Sequence, residues 1–407
     1  MIGPVPLPKD APMPTTPIQS HALVTSPLVA LAPPPLPLEV TASIIRHSLP
    51  PILDLSFAER YSILRKYLTI SKRWLPLVRR ELYRHVKLTT PARAALFLKR
   101  ALGGRAEELD DASWMISLQL GSLSHSGHAI FPILEILQTC PRLEELRLIN
   151  LEQVDAPTLS LAVGLTSLSL HDISFLFYDE LRLHLPNLHS LSITDVFSRD
   201  SKNRDLPSAM LLSPLSLPTL HTVALHWVPP LQSQETATRV HYEQNMVPPS
   251  LGSIGNQIQW LVVGRFDTEE FAKALVDELE HCDNLEHLTI NNPEALELVL
   301  AAIPNNSLKS LQIGAWYQRD TALDIDEEIL QPLFGEDELP EGLKALERLS
   351  LPEVWDWGGT GDDGVLREGR EDIRSLCDKH GVDLVERELN GEGEDKKVDD
   401  WQEIAMW

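Results

Sequence analysis

The chain has 407 residues, of which 43% are hydrophobic and 23% charged, so it is long enough to bury a large core. Its 35 Lys and Arg residues against 59 Asp and Glu residues give a formal net charge of −24, which argues against a free-standing nucleic-acid binder because phosphates attract a cationic face. Three cysteines cannot crosslink a chain of this length, and their scarcity predicts a reducing compartment.

Residues 1–35 are expected to form a disordered, proline-rich arm, since they hold 10 of the 31 prolines. The arm lacks the basic start and the unbroken apolar stretch of a signal peptide. No segment elsewhere reaches about 18 uninterrupted apolar residues, so neither secretion nor a membrane span is expected. The expected location is cytoplasmic, nuclear or both.

Residues 36–90 predict a helical module. Helices are expected around Leu38–Ser48, Phe57–Ser71 and Trp74–His85, with a break at Pro50 and Pro51 after the first. The apolar stripes of these helices are too broad for three short helices to bury among themselves. Part of that apolar surface is therefore expected to face a partner.

Four segments of this module carry a family resemblance: LPLEV at Leu36, IIRHSLP at Ile44, LTISKRW at Leu68 and the run RRELYRHVKL. With them the module resembles the F-box, and in particular the F-box-like modules that precede leucine-rich repeats in many basidiomycete fungal proteins. The resemblance implies binding to Skp1, the adaptor that links an F-box protein to a cullin–RING ubiquitin ligase. Ser71 stands where many members have cysteine, and the linker PPILDLSFAERYSIL is longer than in the usual F-box. The adaptor contacts implied by position are Leu36, Pro37, Leu38, Ile44, Ile45, Leu68, Ile70 and Trp74.

The same apolar stripes would also serve a helical cap that seals one end of the following repeats. The charge of the region favours adaptor binding, because Leu36 to Arg105 contains 14 Lys and Arg residues against 4 Asp and Glu residues and the family's adaptor is acidic. Residues 91–112 are expected to form a connecting helix or linker.

A repeat follows over residues 113–385, in which the pattern apolar-x-x-apolar-x-apolar-x-x-apolar recurs nine times. Alternate residues of each copy, such as Leu146 and Leu148, are expected to point from a short strand into a core. Helix-compatible stretches separate the strands, and a unit of one strand and one helix must stack on its neighbours to bury its apolar face. The copies start at Met115, Leu143, Leu165, Leu188, Leu220, Ile258, Leu285, Leu308 and Leu346.

This pattern resembles the leucine-rich repeats, which implies an α/β solenoid of parallel strands alternating with helices. The family asparagine after the strand is mostly absent, as Leu151, Ile173 and Val196 show. Unequal spacing of the copies predicts an irregular solenoid with loop insertions, which are expected at Phe197–Pro218, Pro229–Gln257 and Gly314–Ala345. A last helix, a stop at Gly381 and a final strand are expected to close the array.

The outward strand positions are the expected target-binding surface on the concave face of the solenoid. Aromatic and arginine side chains dominate the energy of many protein interfaces, and Trp227, Trp316, Tyr317, Trp355 and Trp357 lie at strand ends or in loops, where they could equally pack the loops. The expected target-binding residues are Glu145, Arg147, His171, Thr194, His226, Trp260, His287 and Gln312.

Residues 386–407 are expected to form an acidic tail. From Asp320 to Trp407 the chain has 9 Lys and Arg residues against 27 Asp and Glu residues. This excess of negative charge either attracts a basic partner or simply keeps the surface solvated.

The sequence motifs that could indicate catalysis or cofactor binding do not predict an enzyme. A literal GxGxxG at Gly359 contains Asp362 and Asp363, which would repel a pyrophosphate. Cys140 and Cys282 each lie three residues before the start of a repeat, as structural residues do. No catalytic, cofactor or metal site is expected.

Two functions remain open from the sequence, together with a weaker third. The first is a substrate-recognition subunit that binds Skp1 through the helices and an unknown target protein through the repeats. The second is a ligase-independent interaction scaffold whose F-box-like helices only cap the solenoid. The third is a hydrolase concealed in the insertions.

Overall fold

We describe the protein from a computed structural model. It covers residues 36–50, 57–103, 112–122, 128–176, 181–198, 210–226, 251, 253–264, 276–290, 299–300, 303, 307–313, 343–352 and 374–387. The arm (1–35), residues 388–407 of the expected tail, half of the first expected insertion, most of the other two, the GxGxxG segment and the five loop aromatics from Trp227 to Trp357 lie outside these residues.

Three helices form the N-terminal module, close to where the sequence predicts them: α1 spans Leu38–His47, α2 spans Phe57–Leu68 and α3 spans Leu75–Arg84. A proline in the first turn suits the start of α3, where no backbone N–H is needed. The helices enclose a small apolar core of their own, which is separate from the core of the repeats. Its buried members are Ile45, Leu49, Leu64 and Val78.

One buried carboxylate joins all three helices. Glu81 on α3 is 5% exposed, and its Oε1 accepts a hydrogen bond of 2.8 Å from Arg46 Nε on α1. Arg60 on α2 places Nη2 3.7 Å from Glu81 Oε2, and Arg84 places Nη1 3.8 Å from Oε1. A charge this deeply buried needs paired partners, so Glu81 fixes the packing of α1 and α2 against α3.

Within the described residues, the repeats build one sheet of eleven parallel strands, which are hydrogen-bonded in chain order. A separate parallel pair joins β5 (Leu181–Arg182) and β7 (Met210–Leu211). The strands of the large sheet are β1 (His85–Leu88), β2 (Ser117–Gly121), β3 (Glu145–Val154), β4 (Ser167–Phe175), β6 (Ser190–Ser198), β8 (Thr222–His226), β9 (Trp260–Val263), β10 (His287–Ile290), β11 (Ser310–Ile313), β12 (Arg348–Pro352) and β13 (Asp383–Arg387).

All nine predicted repeat strands are present, each starting two residues after the first apolar residue of its pattern. The register is continuous, so Leu146 pairs with Leu168, which pairs in turn with Leu191. These inward rows are almost fully buried and form the core of the solenoid. The closing strand β13 is also where the sequence predicts it, after helical residues 374–380 and Gly381, whose φ of 72° is the left-handed conformation of a helix stop.

The sheet begins earlier than the sequence predicts. Its first strand is β1, which lies inside the expected module (36–90) and follows α3 directly, so the array starts at His85 rather than at residue 113. Helix α4 (Pro91–Gly103), in the expected linker, contributes Ala94 and Leu98 to the main core. Two shorter helices follow on the same side, α5 (Ile133–Thr139) and α6 (Ala156–Leu159).

Polar side chains connect four consecutive repeats. Each lies immediately before the first apolar residue of its repeat and donates to a backbone carbonyl of the preceding repeat. Asn187 Nδ2 bonds Val163 O at 2.8 Å, Thr219 Oγ1 bonds Pro186 O at 3.1 Å, Gln257 Nε2 bonds Leu217 O at 2.7 Å and Asn284 Nδ2 bonds Asn256 O at 2.5 Å.

Across the described ranges, every helix falls short of the length and apolar content that a bilayer crossing requires.

Candidate protein-interaction surfaces

The helical module exposes large apolar side chains that soluble proteins usually bury. Ile70 is 56% exposed, Leu36 51%, Leu38 45% and Ile44 44%, and all four belong to the expected adaptor contacts. Pro37 is also exposed. These residues are therefore available to a partner.

The other three expected contacts lie differently. Ile45 is completely buried in the small core, so its side chain holds the module together and cannot touch an adaptor. Leu68 and Trp74 are half-buried and pack against the same core, and the Trp74 ring meets Tyr67 edge-on with centroids 5.7 Å apart. The periodicity of α1 does not distinguish which of two adjacent isoleucines faces inward.

Two exposed apolar residues were missing from the expected set. Val40 is 43% exposed and Leu75 is 41% exposed. Val40 precedes Ile44 by one helical turn, so both lie on one face of α1. That spacing was available in the sequence as a signal.

The junction between α3 and the sheet is tightly bonded. Tyr61 donates its hydroxyl to the carbonyls of Leu82 and His85, each at 3.2 Å, and the Arg80 guanidinium lies 5.9 Å from the ring centre of Trp114. Ile116 N donates to Arg84 O at 2.9 Å, so the ladder of the sheet starts on the last residue of α3.

Burial perturbs the titrating groups at this junction. It is the main cause that lowers the pKa of His85 to about 4, with the nearby Arg60 and Arg84 adding to the effect. Burial also raises the pKa of Tyr61 to about 12, and it lowers the pKa of Arg60 against the opposing attraction of Glu81. His85 is therefore neutral near pH 7, as suits a residue buried beside two arginines.

The outward face of the sheet brings the expected target-binding residues together in rows. Paired positions of neighbouring strands place Glu145, Trp260 and His287 in a first row, and Arg147 and Gln312 in a second row two residues further along. His171, Thr194 and His226 are in register two residues beyond the second row. The eight residues thus share one face, opposite the core.

Their accessibility differs. Glu145 is exposed, while Arg147, His171 and Gln312 are half-buried. Thr194 is only 8% exposed, and the side chain of His226 lies outside the described residues. Trp260 and His287 stack with ring centroids 4.4 Å apart, and desolvation is the main cause that lowers the pKa of His287.

Four outward positions of the second row are almost inaccessible, which the sequence did not predict. Ala224 is 1% exposed, Val262 2%, Thr289 3% and Ser350 2%, although alternation points them away from the core. Of the accessible outward positions, Ser167, Ser169, Ser190 and Ser192 supply hydroxyl groups on the adjacent strands β4 and β6.

The cysteines are buried and free, and desolvation raises the pKa of each thiol, to about 11 for Cys140, about 12 for Cys282 and about 11 for Cys377. Thiols in that state are poor nucleophiles and poor metal ligands. Among the described residues, no three or more His, Cys, Asp and Glu side chains are grouped so as to hold a metal ion.

Comparison with known proteins identifies no family. No protein-family model and no curated protein matches the chain. Among solved structures, it is similar to the crystal structure of an internalin (InlF) from Listeria monocytogenes, with 15% sequence identity, coverage of 75% of this chain and 94% of that chain, and a TM-score of 0.23. The repeat architecture described above follows from the strand register of this chain itself.

Proposed function

We propose that this chain is a non-catalytic substrate-recognition subunit of an SCF-type ubiquitin ligase, binding Skp1 through the helical module and a target protein through the outward face of the sheet. The observation that carries the proposal is a module with its own small core that still exposes Leu36, Leu38, Ile44 and Ile70.

Charge supports an acidic partner for this module. Residues 36–105 carry a net charge of +10, from 14 basic and 4 acidic residues, within a chain whose total is −24. Complementary charge accelerates encounter and excludes wrong partners more than it adds affinity. The adaptor of the F-box family is acidic, which fits this balance.

The target would bind the sheet face around Glu145, Arg147 and the stacked Trp260 and His287. A stacked aromatic pair offers contact area together with polar edges, a combination that is frequent in binding hot spots. Holding adaptor and target on one chain raises the effective concentration of a target lysine near the conjugating enzyme. The covalent chemistry would then belong entirely to other subunits.

Skp1 capture by the purified full chain tests the proposal. Ile44→Glu and Ile70→Glu place a charge in the exposed apolar surface without touching the small core, and each should weaken Skp1 binding about thirtyfold, the effect of losing about 2 kcal/mol at a hot spot. Leu161→Glu is the matched control, since Leu161 is also 53% exposed but lies among the repeats. Trp74→Ala discriminates poorly, because the Trp74 ring also supports the fold.

A folded wild-type chain that does not bind the Skp1 of its own organism would overturn the proposal. So would equal losses in the Ile44, Ile70 and Leu161 variants.

The alternative is a ligase-independent scaffold, and the junction between α3 and β1 favours it. The bond from Ile116 N to Arg84 O makes the helices continuous with the β1–β2 ladder, as a cap would be. Deleting Leu36–Thr90 would remove β1 as well, so affinity capture with mass spectrometry is the sharper test. Recovery of a target without Skp1 or cullin would select the scaffold.

A further inference from the structure

Two exposed histidines lie side by side on neighbouring strands. His189 immediately precedes β6 and His221 immediately precedes β8, and the next residues, Ser190 and Thr222, are paired in the sheet. The two imidazole rings stack with centroids 5.5 Å apart and an interplanar angle of 23°. Both side chains are exposed to solvent.

The backbone that carries the two histidines is fixed by the sheet. Thr222 N donates to His189 O at 3.0 Å, His189 N donates to Thr166 O at 2.8 Å, and Gln259 N donates to His221 O at 2.9 Å. The separation of the two Cα atoms is therefore set by the ladder, and small rotations about the side-chain bonds suffice to adjust the rings. This arrangement preorganises two nitrogen ligands without requiring the loops to fold around them.

We propose that His189 and His221 form a two-histidine zinc site at the border of the outward sheet face. Zinc binds imidazole nitrogen at about 2.0–2.1 Å, so the two ligand nitrogens of a tetrahedral site must lie about 3.4 Å from each other. Rings whose centres are 5.5 Å apart reach that distance by a modest rotation. Water, or a side chain of a partner bound on the adjacent face, completes the tetrahedron.

The surroundings of His221 suit a neutral metal ligand. Nδ1 of His221 lies 3.0 Å from Thr222 Oγ1; with the Nδ1 proton on that bond, Nε2 presents its lone pair. Such an outer partner fixes the tautomer of a ligating histidine. The same-register neighbours on the next strands, Thr166 and Gln259, are uncharged.

Zinc titration of the full chain by calorimetry tests this site, with circular dichroism as the check on folding. His189→Ala and His221→Ala should each weaken one zinc-binding event by about tenfold or more, since losing even an outer partner of a ligand costs about 10–100-fold. The double variant should lose that event. Thr222→Val should weaken it by about tenfold, by removing the hydroxyl that orients His221.

Two other exposed histidines provide matched controls: His184→Ala and His281→Ala should leave the event unchanged. Magnesium, which prefers oxygen ligands, should produce no corresponding heat. The proposal fails if the folded wild-type chain shows no zinc event that the double variant lacks, or if the control variants weaken zinc binding as much as His189→Ala and His221→Ala.

Discussion

Glu81 is the residue on which the geometry of the helical module depends. Its carboxylate is 5% exposed and faces Arg46, Arg60 and Arg84 from three different positions. We expect Glu81→Gln to lower the free energy of unfolding of the module by about 3 kcal/mol, because it leaves the 7% exposed Arg60 without its compensating charge. Urea unfolding followed by circular dichroism measures this effect.

Glu135→Gln is the control for that change, since Glu135 is exposed on α5. If both variants unfolded at the wild-type urea concentration, the cluster around Glu81 would contribute no net stability.

His85 gives the junction a pH dependence of known sign. Its pKa is about 4 in the folded chain against 6.5 ordinarily, so the unfolded state binds more protons between those values and stability falls as the pH drops through this window. The loss between pH 7 and pH 5 is expected to be about 2 kcal/mol. His85→Gln should flatten the pH dependence by that amount, whereas the exposed control His281→Gln should not. NMR titration of the His85 ring that gave an ordinary pKa would contradict this account.

At the scale of single elements, hydrophobic periodicity predicts which strand residues face the core and little else. Strands such as β3 and β4 were predictable because their alternate leucines must face inward, and the same alternation recurs in each copy of the repeat. The strand β1 was missed because HVKL is short and directly follows a helix, without the leading apolar residues of the repeat. The inward position of Ile45 and the outward burial of Val262 depend on tertiary neighbours, which periodicity does not encode.

The polar links between repeats were not predicted, because the repeat pattern predicts an asparagine after the strand and these residues lie before it. Gln257 links two carbonyls, because its Nε2 donates to Leu217 O at 2.7 Å and to Leu220 O at 3.0 Å. Gln257→Ala should cost about 1–2 kcal/mol, since it removes the side-chain donor to Leu220 O and one of two donors to Leu217 O, which also accepts from Leu220 N. Chemical denaturation measures the loss, and Gln138→Ala, at an exposed position on α5, is the control. Equal midpoints for the two variants would show that water replaces the link without cost.

At the scale of the whole molecule, two separate apolar cores imply that the helical module and the solenoid unfold as two cooperative units. Leu64 is fully buried in the small core and Leu146 in the large one. Leu64→Ala should cost about 2–5 kcal/mol and should accelerate hydrogen exchange in residues 57–84 while leaving residues 143–175 protected. Mass spectrometry of deuterated peptides resolves the two regions, and Leu146→Ala is the reciprocal variant. Simultaneous loss of protection in both regions would mean that module and solenoid unfold as one unit.

The bond from Ile116 N to Arg84 O has a consequence for reach. Because the ladder starts on the last residue of α3, no hinge lies between the helical module and the first strand. The distance from the helical module to any strand of the solenoid is therefore fixed. Eleven strands give ten spacings of about 4.8 Å, so β13 lies about 48 Å from β1 along the sheet. The strand on which a ligand docks then determines its distance from whatever the helices hold, in steps of one strand, and inserting or deleting a repeat would change that distance by a fixed increment.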